Sequence, residues 1–168
     1  MEPLQIAINM EAEGKEFYQK ASDNTSDKLG KALFDRLAKE EDFHAAKARE
    51  ISDFLKLGEQ PLAIEESLDH GIKLRSIFAQ LKTEIEQRAA ASKDEMDIIG
   101  LALDIEDRSI KFYREQAAKV ENEFIKRFFT ALAEEEHGHY LSLVDYRQYL
   151  TSPADWFAEK EHHSLDGG

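Results

Sequence analysis

The sequence predicts an all-α protein: an antiparallel four-helix bundle with a long crossover that contains a short extra helix. Three observations carry this. Apolar residues recur at the helical period through four long segments. The composition combines 42% hydrophobic and 34% charged residues with only 8 Gly and 3 Pro, which suits long amphipathic helices better than a sandwich or barrel. The second half of the chain also repeats the first at a constant offset of 95 positions. That offset maps Glu11 onto Glu106, Phe17-Tyr18 onto Phe112-Tyr113, Phe34 onto Phe129, Leu37 onto Leu132, Glu41 onto Glu136 and His44 onto His139.

The elements follow in order. Pro3 suits a first helical turn, where its missing N–H would have no partner anyway. The first helix is expected to reach about Ala21, with the inward stripe Leu4, Ala7, Ile8, Glu11, Gly14, Tyr18 and Ala21. Residues 22–26 read as a turn rich in N-cap residues. The second helix is expected over residues 27–57, stopping near Gly58 and Pro61, with Leu37, Glu41, His44 and Ala48 on its stripe. Residues 59–92 form the crossover, and within it Ile77, Leu81 and Ile85 mark the extra helix over residues 72–91. Ser92-Lys93-Asp94-Glu95 has the capping-box pattern and opens the third helix. Asn122 caps the fourth, which runs to about Leu150 and ends at Thr151-Ser152-Pro153. The bundle is therefore expected to occupy residues 1–151, and a tail residues 152–168. Trp156 and Phe157 of the tail are expected to dock on the bundle or on a second subunit, and with the hydrophobic helix faces they predict a homodimer.

Composition narrows the function. A formal charge of −13 argues against nucleic acid or an anionic membrane surface as partner, since both require clustered Lys and Arg. The absence of Cys excludes disulfides, iron–sulfur clusters and thiol nucleophiles. No apolar run approaches the ~20 residues of a membrane span. The first residues lack the pattern of a signal peptide, so a cytoplasmic location is expected.

The chemistry lies in the repeat. Each half carries one Glu and then a Glu-x-x-His, all on otherwise apolar stripes. The i, i+3 spacing puts that Glu and His on one helix face. Glu11 lies roughly ten residues, or ~15 Å, from the end of its helix, and Glu41 about fourteen, or ~21 Å, from the start of the next. The turn absorbs part of the difference, so both stand at similar height, and the same holds for Glu106 and Glu136. Four carboxylates gathered in an apolar core would cost several kcal/mol each unless neutralised. Two divalent cations would neutralise them. Glu41 and Glu136 could bridge the two ions, His44 and His139 bind terminally, and Glu11 and Glu106 act as terminal carboxylates. Oxygen-rich ligation with one imidazole per ion suits iron, with manganese or a mixed pair as the alternative, whereas structural zinc prefers more nitrogen and thiolate.

This ligand pattern is known for ferritin-like di-metal proteins as a class. The chain resembles that superfamily over roughly residues 4–150, and within it the rubrerythrin-like ferritin-fold domain. The resemblance rests on Glu11, Glu41-x-x-His44, Glu106 and Glu136-x-x-His139, with Phe-Tyr six residues after both Glu11 and Glu106. It implies a non-haem di-iron centre that reduces hydrogen peroxide or dioxygen. Rubrerythrins proper draw electrons through a rubredoxin domain with a Cys-ligated iron. This chain has no Cys, so the resemblance here implies a separate electron donor. Rubrerythrins also carry a further Glu one turn after the third-helix Glu, and with it a carboxylate-to-His iron exchange. Ser109 stands at that position here. A ferroxidase or iron-handling protein, or a non-enzymatic metal-binding module, is the alternative reading.

Around the six residues, Tyr18 and Tyr113 lie two turns beyond Glu11 and Glu106 on the same faces, and are expected to hydrogen-bond a ligand carboxylate. Gly14 and Ser109 either leave room for a substrate or permit close packing. Glu40, Glu134, Glu135 and His137 point about 100° off the stripes and are expected in solvent, as are His70, His162 and His163.

Overall fold

A computed structural model describes residues 3–58 and 93–156. They form four helices: α1 (Pro3–Asn24), α2 (Lys28–Leu57), α3 (Lys93–Lys119) and α4 (Glu123–Thr151). The all-α ferritin-like bundle expected from the sequence is borne out. The extra helix expected over residues 72–91, with His70, Phe157, His162 and His163, lies outside the described residues. No helix among the described residues is long and apolar enough to cross a membrane.

Local chemistry sets the helix ends. α1 runs one turn further than expected, through Ser22, Asp23 and Asn24, leaving only residues 25–27 for the turn. Ser22 is buried and donates to Asp35 on α2, so it belongs to the hairpin contact and not to a solvated turn. Asp27 caps α2, its carboxylate accepting from the Gly30 amide at 3.1 Å. Gly58 ends α2 at φ 71°, the left-handed conformation that glycine adopts without a side-chain clash. Asn122 caps α4 by accepting from the amides of Phe124 and Ile125.

The short connections 25–27 and 120–122 make α1–α2 and α3–α4 antiparallel hairpins. Between hairpins, Tyr18 meets Glu106 while Tyr113 meets Glu11, so α1 and α3 run in opposite directions. Phe34 meets Tyr146 while His44 meets Glu136, so α2 and α4 do too. Every neighbouring pair is thus antiparallel.

The core divides into two apolar clusters. One gathers Tyr18, Leu33, Phe34, Leu37, Ile99, Ala102, Tyr146 and neighbours. The other gathers Leu4, Ala7, Ile51, Tyr113, Phe128, Phe129, Leu132 and neighbours. The 95-residue offset exchanges them: Tyr18 for Tyr113, Phe34 for Phe129, Leu4 for Ile99, Ala7 for Ala102. The repeat is therefore a pseudo-twofold axis across the bundle. A buried polar layer lies where the two ends meet. At the first end, Tyr146 donates to Asp27 at 2.8 Å, and Trp156 packs edge-on against Tyr149 and donates to Asp145 at 3.0 Å. The tail's Trp156 thus docks on its own bundle.

Candidate metal centre

All six residues singled out by the repeat come together in the polar layer, one pair from each hairpin face and one carboxylate from each of α1 and α3. All are buried: none exposes more than 4% of its surface. The His44 and His139 rings stack at 5.6 Å with 17° between their planes, and each turns Nδ1 toward the carboxylates. His44 Nδ1 lies 3.3 Å from Glu11 and 3.2 Å from Glu136. His139 Nδ1 lies 3.2 Å from Glu41, 3.1 Å from Glu136 and 3.8 Å from Glu106.

His139 Nδ1 and Glu136 Oε2 are placed for a hydrogen bond, but several of the other atoms are close without being aligned. Glu11 Oε2, His44 Nδ1, Glu106 Oε2 and Glu136 Oε1 are buried and have no hydrogen-bond partner, although ion-pair distances separate several of them. A buried polar atom left in that condition costs roughly 1–3 kcal/mol. The atoms point past one another into shared space. Neighbouring ligands around one ion at about 2.1 Å sit about 3 Å apart, and the 3.1–3.3 Å separations match that spacing. Two four-residue sets could each hold an ion: Glu11, Glu41, His44 and Glu136; and Glu41, Glu106, Glu136 and His139. Glu41 and Glu136 belong to both.

Protons shape the layer's charge. Burial pushes Glu41 well up, and the charges of Glu136 and Glu11 add to it. Burial and Glu136 likewise raise Glu106. Burial also opposes ionisation of Glu136, yet His139 and His44 outweigh it and hold that carboxyl well below its ordinary range. Burial opposes a charge on His44, but the Glu11 and Glu136 carboxylates beside it outweigh burial and raise it to about 10. His139 is raised well above its ordinary value for the same kind of reason, with Glu136 foremost. Two cationic rings therefore partly neutralise the layer at neutral pH. A metal ion there would displace their Nδ1 protons.

The tyrosines cross between hairpins. Tyr18 of α1 donates to Glu106 of α3, and Tyr113 of α3 donates to Glu11 of α1. Each therefore steadies the carboxylate of the opposite half, not of its own helix. Burial, with the surrounding Glu charges, pushes both phenols well up, so they remain donors. Gly14 is accounted for by packing: a Cβ there would lie 3.3 Å from the Glu41 carboxylate, which fills the space. Ser109 is buried at the equivalent position.

Two expectations fail, for Glu40 and for Glu135. Glu40 is not in solvent: it is 8% exposed, accepts from Arg36 Nε at 2.8 Å, and places Oε2 3.0 Å from His139 Nε2. The physical reason is that α2 packs against both α1 and α4, so its buried arc is wider than one stripe. Burial raises Glu40, but His139 and Arg36 together outweigh it and hold it below its ordinary value. The available signal was Arg36, one turn earlier on the same face and able to accompany a buried carboxylate. Glu135 is half-buried rather than exposed, whereas Glu134 and His137 are exposed as expected.

A family model described as Rubrerythrin matches residues 2–146, with a second match over residues 97–163. The second match starts 95 residues after the first, the offset of the internal repeat. No curated protein and no solved structure matches the chain. The longer match runs through both hairpins and takes in every residue that converges on the polar layer, so the chain belongs to the rubrerythrin family of ferritin-like proteins.

Proposed function

We propose that this protein is a non-haem di-iron oxidoreductase that reduces hydrogen peroxide or dioxygen with electrons from a separate donor protein. Glu11, Glu41, His44 and Glu136 would hold one iron, and Glu41, Glu106, Glu136 and His139 would hold the other. The observation that supports this most is the pair of four-residue sets sharing Glu41 and Glu136, with orphaned buried oxygens and nitrogen turned into the common space. Bound iron would supply electrons and Lewis acidity toward the oxidant.

The chain's own contribution is positioning and exclusion. The apolar clusters on either side of the layer keep bulk water from the carboxylates, so their charge acts in a low-dielectric setting. Tyr18 and Tyr113 orient Glu106 and Glu11 by donating to one oxygen of each. Both His residues give up a ring proton on loading, so affinity rises with pH.

The test is anaerobic loading with ferrous iron, metal analysis, and stopped-flow mixing with peroxide or dioxygen. Two irons per chain and rapid oxidation by either oxidant, with repeated turnover when a reductant is supplied, are expected. A loaded protein that neither oxidant touches ends the oxidoreductase reading. Oxidation followed by release or mineralisation of ferric iron, without turnover of a reductant, assigns iron handling instead.

A further inference from the structure

The two His residues are not supported alike. A metal-bound imidazole that offers Nδ1 to an ion carries its remaining N–H on Nε2, and a buried N–H needs an acceptor. For His139 that acceptor is Glu40, 3.0 Å away, and Glu40 is itself held at its other oxygen by Arg36 at 2.8 Å. The pseudo-twofold relates Glu40 to Glu135 and Arg36 to Ala131. Ala131 offers no cation. Glu135 is only half-buried, and among the described residues no hydrogen bond joins it to His44.

We propose that Glu40, braced by Arg36, is a positioning residue for His139, and that it makes the two ion positions unequal: the one beside His139 fills first and more tightly than the one beside His44. The inference rests on the metal-binding reading above and adds an order of filling to it. A ring whose Nε2–H already has an acceptor keeps Nδ1 facing inward more firmly than one held by packing alone. Outer partners of ligating His residues typically change metal affinity 10- to 100-fold. The shared carboxylates Glu41 and Glu136 serve both positions, so they do not distinguish them. Glu11 and Glu106 are each steadied by one tyrosine, so they do not distinguish them either. The brace is the difference that reaches one ring and not the other.

The experiment titrates the metal-free protein with Co(II) at fixed pH, followed by calorimetry and by the visible absorption of the bound ion. Wild type is expected to show two steps at least tenfold apart. Glu40→Ala should weaken the tighter step 10- to 100-fold and leave the weaker one in place. Glu40→Gln, which keeps an acceptor oxygen for Nε2–H, should retain most of the separation. In the Co(II) protein the His139 Nε2–H proton should give a slowly exchanging shifted resonance in wild type and Glu40→Gln, and lose that protection in Glu40→Ala. Should Glu40→Ala not fold, Arg36→Met tests the same brace and should narrow the gap. Two equal steps in wild type, or a gap that survives loss of the brace in a folded variant, overturns the proposal while leaving the metal reading intact. A wild-type protein that takes up no cobalt overturns the metal reading itself.

Discussion

The two hairpins are copies at the centre and strangers one layer out. Glu11 and Glu106, Glu41 and Glu136, His44 and His139, Tyr18 and Tyr113 keep their identity and their heights. The residues that support them do not: Arg36 faces Ala131 across the pseudo-twofold, Gly14 faces Ser109, and Tyr146 faces Ile51. The difference separates two kinds of constraint. Groups that meet in the shared layer must satisfy both halves at once, so a change in one disturbs the other. Groups outside it need not satisfy both halves at once, so the two halves can differ there. Four predictions break or sharpen this comparison.

The largest effect should come from the two shared carboxylates, which look equivalent and are not. Glu136 is held ionised between both cationic rings, whereas burial and its acidic neighbours push Glu41 toward the protonated form. Glu136→Gln in the metal-free protein removes the counter-charge of a buried pair, a change that typically costs ~3–5 kcal/mol. Glu41→Gln replaces a group already inclined to be neutral and should cost less than ~1 kcal/mol. Denaturant unfolding of the metal-free variants measures both values. Metal analysis should show that each variant loses bound ion, because each removes a ligand from both sets. Equal destabilisation by the two substitutions would mean the layer's charge is shared evenly and the assignment of protons is wrong.

The pH dependence of stability follows from the same layer. His44 has its pKa raised from the ordinary 6.5 to about 10 in the fold. A raised pKa on a base means the folded state holds the proton more tightly than the unfolded one. Its stabilisation is therefore complete below about pH 6.5 and is lost as pH climbs through about 10. Melting temperature of the metal-free protein should fall across that window. An ion bound at His44 Nδ1 would take the place of that proton, so the curve of the metal-loaded protein should stay flatter there. Parallel curves for the two forms would show that His44 is not among the groups an ion displaces.

The ends of the bundle test whether the outer differences are structural only. Gly30 lets Tyr146 reach the Asp27 cap: a Cβ there would stand 2.1 Å from the Tyr146 hydroxyl. Gly30→Ala must push that ring aside, an overpacking change of ~1–3 kcal/mol. Tyr146→Phe deletes only the hydroxyl and should cost about 1 kcal/mol. Neither should alter Co(II) stoichiometry, because the polar layer lies beyond this cluster. A change in metal content from either would show that the ends and the centre are coupled.

These contrasts also mark what the sequence made legible. The helices, their antiparallel pairing and the six converging residues could be read, because each leaves a periodic trace: an apolar stripe interrupted by a carboxylate, repeated at 95. The Asn122 cap was legible for the same local reason. Glu40 was not. A period locates the centre of a buried face but not its width, and the width of α2's face depends on how α4 packs against it. The crossing of Tyr18 to Glu106 and Tyr113 to Glu11 was equally hidden, since spacing along one helix says nothing about which partner a hydroxyl reaches on another. Gly14 left two readings open until Glu41 was seen to occupy its space.

The smallest expected effect repairs the asymmetry instead of breaking it. Ala131 is partly exposed on α4, one turn before Glu135, just as Arg36 precedes Glu40 on α2. Ala131→Arg gives the second half the cation it lacks. An i, i+4 ion pair at such a site contributes only about 0.3–0.5 kcal/mol to stability, so the melting temperature should barely move. Its consequence for the ions should be larger than that figure suggests, because an ordered Glu135 gains the means to hold His44 as Glu40 holds His139. The weaker Co(II) step should tighten severalfold and the tighter one stay put. If Ala131→Arg leaves both steps unmoved, Glu135 cannot reach His44 even when braced. The inequality of the two positions would then lie in backbone placement, not in the missing arginine.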